Sequence, residues 1–292
     1  MKISEKFKAK RSLFSLEVFP PRKNGTLESL WPTLEAISRL SPDYISVTYS
    51  AGGTGNRAFT ADIAAKIQKE YGVDAVAHLT CVTSTREEVL QTLARLKQDG
   101  VENVLALRGD IVPDVPVYHD FSYASDLVEL ISAEGGFDIA GACYPECHPE
   151  CSSLEEDIEH LKEKVDKGVT HLVTQLFFNN DDFYRFRDMC AQKGITVPMQ
   201  AGIMPVTNKR QIERMVSMCG ASIPHKLARQ LSRYEGNAEA LRDAGIAYAT
   251  EQIIDLLSEG CDGIHLYSMN NAAMAEKIYG NVQTLFRHVN EA

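Results

Sequence analysis

The sequence predicts an α/β fold, a closed parallel (β/α)8 barrel of the TIM type with extra helices before its last strand. Three observations carry this. Eight short runs, several rich in Val, Ile and Leu, read as strands buried on both faces. Amphipathic helical patterns separate them with a typical period of about thirty residues, the alternation that builds parallel sheets. Nearly every polar residue suited to chemistry stands just after one of the runs, where the strand ends of such a barrel converge on one mouth. A length of 292 residues fits one barrel rather than two ordinary domains. No Pro-, Gly- or Ser-rich linker divides the chain, so residues 1–292 are read as one catalytic domain. A doubly wound open sheet is the structural alternative, because strand order is not written in a single sequence.

The elements follow in order. Residues 1–13 begin Lys-rich with no apolar segment behind, which argues against a secretory signal. They read as a short amphipathic helix over the barrel's bottom or, equally, as a frayed tail. The first strand, Ser15–Phe19, holds Glu17 inside an apolar run and is stopped by Pro20-Pro21. A helical pattern then runs from Leu27 to Leu40 through Leu30, Leu34 and Ile37. Tyr44–Thr48 is the second strand, and Ala75–Thr80, which encloses His78, is the third. Ser84-Thr85-Arg86-Glu87 suits a capping box opening a helix through Lys97, which Asp99-Gly100 closes. Asn103–Leu107 leads into Arg108-Gly109-Asp110, and Ile139–Tyr144 leads into the polar stretch Tyr144 to Glu150. Leu154, Ile158, Leu161 and Val165 mark a helix that ends at Lys167-Gly168. His171–Gln175 and Val197–Gly202 are the sixth and seventh strands, with a helix between them ending at Lys193-Gly194. Three helical stretches, Asn208–Met218, Lys226–Tyr234 and Glu239–Ser258, precede the eighth strand, Gly263–Tyr267.

Composition narrows the function. A hydrophobic content of 44% supplies an ordinary core. A net charge of −10 argues against general nucleic-acid binding, so an anionic ligand would need local cations or helix N-termini. No apolar run reaches the length of about 20 residues that a bilayer requires, so no membrane is expected. Seven cysteines without a signal indicate a reduced, cytoplasmic protein. Cys143, Cys147 and Cys151 are evenly spaced around His148, but Pro145 and Pro149 break helical spacing and no CxxC pair exists. Small buried thiols are therefore preferred to a metal site.

Glu17 is the sharpest chemical candidate. A carboxylate near the end of a buried strand resists ionising unless paired, which suits a general acid; a buried ion pair with Arg22 or Arg108 is the alternative. Gly109 allows close backbone approach to a ligand, flanked by a donor fork at Arg108 and an acceptor at Asp110. The two prolines of Tyr144-Pro145-Glu146-Cys147-His148-Pro149-Glu150 fix a polar loop suited to cofactor recognition, or simply a rigid connection. His78 reads either as a satisfied core histidine or as a ligand contact. The Gln175 amide, which donates and accepts together, suits a heterocycle edge. Gly52-Gly53-Thr54-Gly55 lacks the full dinucleotide fingerprint and reads as a loop.

Taken together these segments resemble the bacterial 5,10-methylenetetrahydrofolate reductases, a flavin-dependent (β/α)8-barrel family. The matching stretches include Glu17-Val18-Phe19-Pro20-Pro21-Arg22, Ser46-Val47-Thr48-Tyr49, His78-Leu79-Thr80-Cys81, Ala106-Leu107-Arg108-Gly109-Asp110, Tyr123-Ala124-Ser125-Asp126-Leu127, Tyr144-Pro145-Glu146, His148-Pro149-Glu150 and Thr174-Gln175. They run in family order from residue 15 to about 280. The resemblance implies FAD as cofactor and 5,10-methylenetetrahydrofolate and NAD(P)H as partners, in a homo-oligomer. It implies that Glu17 is the proton donor that opens the methylene bridge. It makes Asp110 the carboxylate that tunes the flavin and meets the pterin. Thr48, Tyr49, Ala51, His78, Arg108, Gly109, Asp110, Tyr123, Ala124, Tyr144, His148, Asp157, His160 and Lys164 fall at FAD-contacting positions, Lys164 being the cation for the diphosphate. Gln175 and Gln211 fall where the folate or the donor is contacted. Two departures stand out: Asn271 replaces an Arg near the folate glutamate tail, and Met215 replaces a Phe that stacks on bound ligand. Rival functions are a flavin-free pterin-binding methyltransferase and an electron-transfer subunit reduced by a partner protein.

Overall fold

The computed structural model describes residues 1–21, 25–49, 57–111 and 116–291. Arg22, Ala51 and the Gly52-Gly53-Thr54-Gly55 stretch lie outside the described residues. Eight parallel strands close in sequence order: β1 (Leu13–Val18), β2 (Tyr44–Val47), β3 (Asp74–Thr80), β4 (Asn103–Leu107), β5 (Asp138–Cys143), β6 (His171–Thr174), β7 (Met199–Ile203) and β8 (Gly263–Tyr267). Pairing of β8 with β1 completes the ring, which excludes the open sheet.

Strand alternation separates two environments. Phe14, Leu16 and Val18 of β1 face outward into the main apolar core under the helices, whereas Leu13 joins a small cluster inside the barrel. Ser15 and Glu17, on Leu13's side, meet His265 across the interior. The helices are α1 (Ile3–Ala9), α2 (Trp31–Ser38), α3 (Arg57–Tyr71), α4 (Arg86–Gln98), α5 (Ala124–Glu134), α6 (Leu154–Asp166), α7 (Asn180–Gln192), α8 (Lys209–Cys219), α9 (His225–Tyr234), α10 (Ala238–Ser258) and α11 (Ala272–Glu291). Helices α8, α9 and α10 are the expected insertion before the last strand. Leu34 and Ile37 of α2 are fully buried, each such side chain contributing about 1.5–3 kcal/mol.

Local signals mostly held, with two shifts. The helix read over Leu27–Leu40 divides into a 3-10 turn, Leu27–Leu30, and α2, with Pro32 at the start of the α segment. Proline has no N–H to bond back into the preceding turn. The capping box lies one residue later than expected: Thr85 Oγ1 accepts from Glu88 N–H at 3.2 Å, and Glu88 Oε2 accepts from Thr85 N–H at 2.8 Å.

At the barrel's bottom, α1 is a plug rather than a frayed tail. Ile3 is fully buried, and its N–H donates to Asn103 Oδ1 at 3.0 Å. Ser4 N–H donates to Asp138 Oδ2 at 2.7 Å, and the Phe7 ring packs on His171. Among the described residues no helix is long and apolar enough to cross a membrane.

Candidate active site

At the opposite end, the C-terminal strand ends surround a cavity of about 400 Å³. Glu17 of β1, Thr48 after β2, His78 and Thr80 of β3, Gln175 after β6 and Tyr267 of β8 all line it. Parallel strands put these groups on one rim although more than two hundred residues separate the first from the last. Period-2 alternation aims Glu17 inward while Leu16 and Val18 pack outward.

Glu17 meets two imidazoles: its Oε2 lies 3.5 Å from His78 Nε2 and 3.7 Å from His265 Nε2. Arg108, one of the two arginines proposed as its partner, does not fill that role. Arg108 instead makes a two-pronged pair with Glu150 at 2.7 and 2.5 Å, and Arg22 is outside the described residues. Burial pushes the His78 imidazolium down to about 4, overriding the raising effect of the Glu17 charge. The His78 ring is therefore neutral near neutral pH, and its Nε2 is buried with no hydrogen-bond partner. Beneath Glu17 a polar network continues into the barrel. Ser15 Oγ lies 2.8 Å from His265 Nδ1, Gln200 Nε2 donates to Ser15 Oγ at 3.1 Å, and the Tyr44 hydroxyl donates to Gln200 Oε1.

Beside Glu17, across the β8 pairing and round to β6, the cavity is lined by neutral groups. Gln175 Oε1 accepts from Leu176 N–H at 2.8 Å, which leaves its amide donor to face a ligand. Tyr267 donates to Thr174 carbonyl oxygen at 2.7 Å, and burial raises its phenol well above the ordinary value. This seat exists because residue 202 is glycine: a Cβ there would stand 2.3 Å from the Thr174 oxygen and 2.8 Å from the Tyr267 ring. Asp110, exposed at the rim, contributes to raising the Cys219 thiol to about 11, after burial as the larger cause. Gly109 takes φ +88°, a conformation glycine adopts freely.

A second cavity of about 420 Å³ adjoins the first and shares Arg108, Ala142, Tyr144 and His148 with it. Helix α6 lines it with Asp157, His160, Leu161 and Lys164, whose i, i+3, i+4, i+7 spacing puts them on one face. Lys164 Nζ donates to Ala142 carbonyl oxygen at 2.5 Å, and burial lowers its pKa. Tyr123 and Ala124, at the start of α5, form another wall. The Tyr144–Glu150 loop joins the two spaces. Asp157 accepts from His148 N–H at 2.8 Å, and the Tyr144 and His148 rings meet edge to face at 4.7 Å.

Of the residues singled out from sequence, all the described FAD-contact candidates line one or both cavities, as do Glu17, Asp110 and Gln175. Met215 also lines the first. Gln211 lines a small neighbouring hollow with Met215. Asn271 lines none of these spaces; its Oδ1 accepts from Met274 N–H at 3.1 Å and caps α11. Cys147 Sγ contacts His148 carbonyl oxygen and Cys151 Sγ contacts Asp157 and His160, while Cys143 is buried. Sequence reasoning missed His265, Tyr267, Met204 and Cys219. His265 was available on the criterion that selected His78, a lone histidine in an apolar strand.

The methylenetetrahydrofolate reductase family model matches residues 2–283. The 5,10-methylenetetrahydrofolate reductase of Escherichia coli (strain K12) is 38% identical over 265 residues, covering 90% of this chain and 88% of that protein. That of Pectobacterium carotovorum subsp. carotovorum is 35% identical over 264 residues, with 90% and 88% covered. A longer plant relative, methylenetetrahydrofolate reductase (NADH) 1 of Arabidopsis thaliana, is 35% identical over 289 residues; the match covers 92% of this chain and 49% of that protein. Among solved structures, an uncharacterized Clostridium thermocellum protein that binds two copies of 5-methyl-5,6,7,8-tetrahydrofolic acid superposes with a TM-score of 0.71. At 15% identity, with 98% of this chain and 100% of that one covered, it speaks for the fold alone.

Proposed function

The chain belongs to the methylenetetrahydrofolate reductase family, and from that membership we propose that it reduces 5,10-methylenetetrahydrofolate to 5-methyltetrahydrofolate with bound FAD and a nicotinamide donor. The observation that carries this is the joined pair of cavities, with Glu17 in one and the polar α6 face in the other.

The residues fit a flavin dinucleotide. The first cavity offers a wide, partly apolar space whose edge holds the orphaned His78 Nε2. The second offers Lys164 and the α5 N-terminus, where a cation and helix N–H groups favour a diphosphate. When bound there, FAD would supply two-electron chemistry, accepting hydride from the nicotinamide and returning it to the folate. The protein's own part is positional and protic. Glu17 holds the proton that opens the methylene bridge, and the neutral His78 adds no competing positive charge at neutral pH. Gln175 presents its amide to the ring that occupies the mouth, whether nicotinamide or pterin. Asp110 places a negative charge at the rim. A cytoplasmic setting is supported by seven free cysteines. A homo-oligomer, with residues 1–292 as one catalytic domain, completes the reading.

The test is direct. Denaturing the purified protein should release FAD. Anaerobic NADH or NADPH should bleach the flavin, and 5,10-methylenetetrahydrofolate should restore its colour. A colourless protein that still binds pterin would support the methyltransferase reading. A flavin that neither nicotinamide reduces would support a protein donor.

A further inference from the structure

Glu17 is placed by its backbone more than by its own carboxylate. Among the described residues that carboxylate makes no hydrogen bond; its contacts with His78 Nε2 and His265 Nε2 span 3.5 and 3.7 Å, longer than a firm hydrogen bond. The carboxyl group therefore stands where the main chain of residues 17–19 carries it. That main chain is gripped from the end of β8. The β1–β8 ladder stops with Glu17 opposite Tyr267, and Pro20 and Pro21, just beyond, have no N–H with which to extend it. Side chains take over the pairing. Ser268 Oγ donates to the Glu17 carbonyl oxygen at 2.6 Å. Asn270 Oδ1 accepts from Phe19 N–H at 3.1 Å, and Asn270 Nδ2 donates to the Phe19 carbonyl oxygen at 2.9 Å. One amide thus satisfies both backbone groups of Phe19, as a neighbouring strand would. From the β2 side, Thr48 N–H holds the intervening Val18 carbonyl oxygen at 2.9 Å.

The grip has a conformational cost. Met269 and Asn270 take φ +51° and +55°. Asn tolerates this left-handed region, but for Met it is unfavourable. Residues strained in this way persist only where their surroundings over-determine them, and they gather at functional sites. Here the strained pair follows the fully buried Ser268, and Met269 lines the main cavity into which Glu17 points.

We propose that Ser268 and Asn270 are positioning residues for the proton transfer: they clamp the main chain at residues 17–19 and so fix the Glu17 carboxyl group against the methylene bridge of the folate. This rests on the proposed reductase function. The strain at residues 269 and 270 is then the cost of turning the Asn270 amide onto Phe19. A general acid that drifts by about 1 Å can lose on the order of a hundredfold in rate. Binding of the folate, which does not depend on that proton, changes little.

The experiment uses the FAD-loaded full-length enzyme in anaerobic stopped flow. Flavin reduction by NADH or NADPH and reoxidation by 5,10-methylenetetrahydrofolate are read separately. N270G removes both bonds to Phe19 and suits the positive φ. In it the maximal rate of reoxidation should fall about thirtyfold, while flavin reduction and the half-saturating folate concentration stay within about threefold. S268A should cost reoxidation about five- to tenfold, and S268T, which keeps the hydroxyl, should return to within about twofold of wild type. In an E17Q background N270G should cost less than about twofold more, because a residue that acts through Glu17 has nothing left to position. A penalty undiminished by E17Q overturns the proposal, and so does a parallel loss of both half-reactions. Reoxidation within about threefold of wild type in both N270G and S268A overturns it as well. If N270G does not fold, S268A, S268T and S268A/E17Q decide on the same terms. If the folate fails to reoxidise the wild-type flavin, the reductase reading itself fails and takes the clamp's role with it; a competent wild type with unaffected variants sinks the clamp alone.

Discussion

Glu17 and its two histidine neighbours lend themselves to dissection one atom at a time. Replacing Glu17 by Gln preserves shape and removes the transferable proton. Reduction of the flavin by the nicotinamide should persist, while folate turnover falls about a hundredfold to ten-thousandfold, the usual reach of a general acid. Stopped-flow measurement of the two half-reactions separates them, and folate turnover within a few-fold of wild type would remove the assignment. Asp110 makes a different prediction. Its charge disfavours a reduced, anionic flavin, so Asp110→Asn should raise the flavin potential in a spectroelectrochemical titration. The same charge helps to hold up the Cys219 thiol, now at about 11. The pH at which iodoacetamide begins to label Cys219 should therefore drop in the variant. An unchanged potential together with an unchanged labelling profile would place Asp110 away from both groups. Residue identity made Glu17 visible in the sequence because a carboxylate in an apolar run is anomalous. The same test passed over Tyr267, which looks ordinary in a strand until Gly202 is seen to make room for it.

At the level of elements, caps and glycines punctuate the chain much as local chemistry predicts. Ser153, Asn179, Asn208 and Asn237 each accept a backbone N–H at a helix start, and Gly100, Gly168 and Gly194 take positive φ just past helix ends. Gly245 runs against local chemistry. It sits inside α10, where helix propensity alone favours Ala by about 1 kcal/mol. However, a Cβ there would fall 1.8 Å from the Val206 carbonyl oxygen, because α10 lies directly on the segment between β7 and α8. Gly245→Ala should therefore destabilise the protein by about 2 kcal/mol or more, since neither backbone can give way cheaply. Thermal unfolding decides between the two: a higher Tm would mean that propensity outweighs the close approach. Asn271 shows the same division. Its sequence position suggested a ligand contact, but its backbone setting makes it a helix cap.

The barrel buries His78 and His171 in neutral form, and this shapes its response to acid. His78 titrates near 6.5 when unfolded and near 4 when folded, because burial disfavours the imidazolium; burial lowers His171 as well. Between those values the unfolded chain binds protons that the folded chain does not, so stability falls as pH drops from about 6.5 to 4 and the loss is complete below that. For His78 the full effect is on the order of 3 kcal/mol. Urea titrations at pH 7.5 and 5 should show a marked loss in the wild type and a loss smaller by about 2 kcal/mol in His78→Gln. Equal losses in the two proteins would mean that His78 is not held neutral by burial. The N-terminal plug also belongs to this scale. Pairing of β4 with β5 sets Asn103 beside Asp138 under α1, where they take its first backbone N–H groups.

The sequence by itself determined the strand–helix alternation, the inserted helices and the carboxylate at the end of the first strand. Each of these depends on periodicity or on one residue set against its neighbours, and such signals are local. Tertiary structure decided what those residues touch. Glu17 faces His78 and His265, and Arg108 is held by Glu150 rather than by Glu17. These pairings join strands and loops far apart in the chain. They follow from barrel closure and from which side chain reaches across it first, and spacing along a sequence carries no record of either.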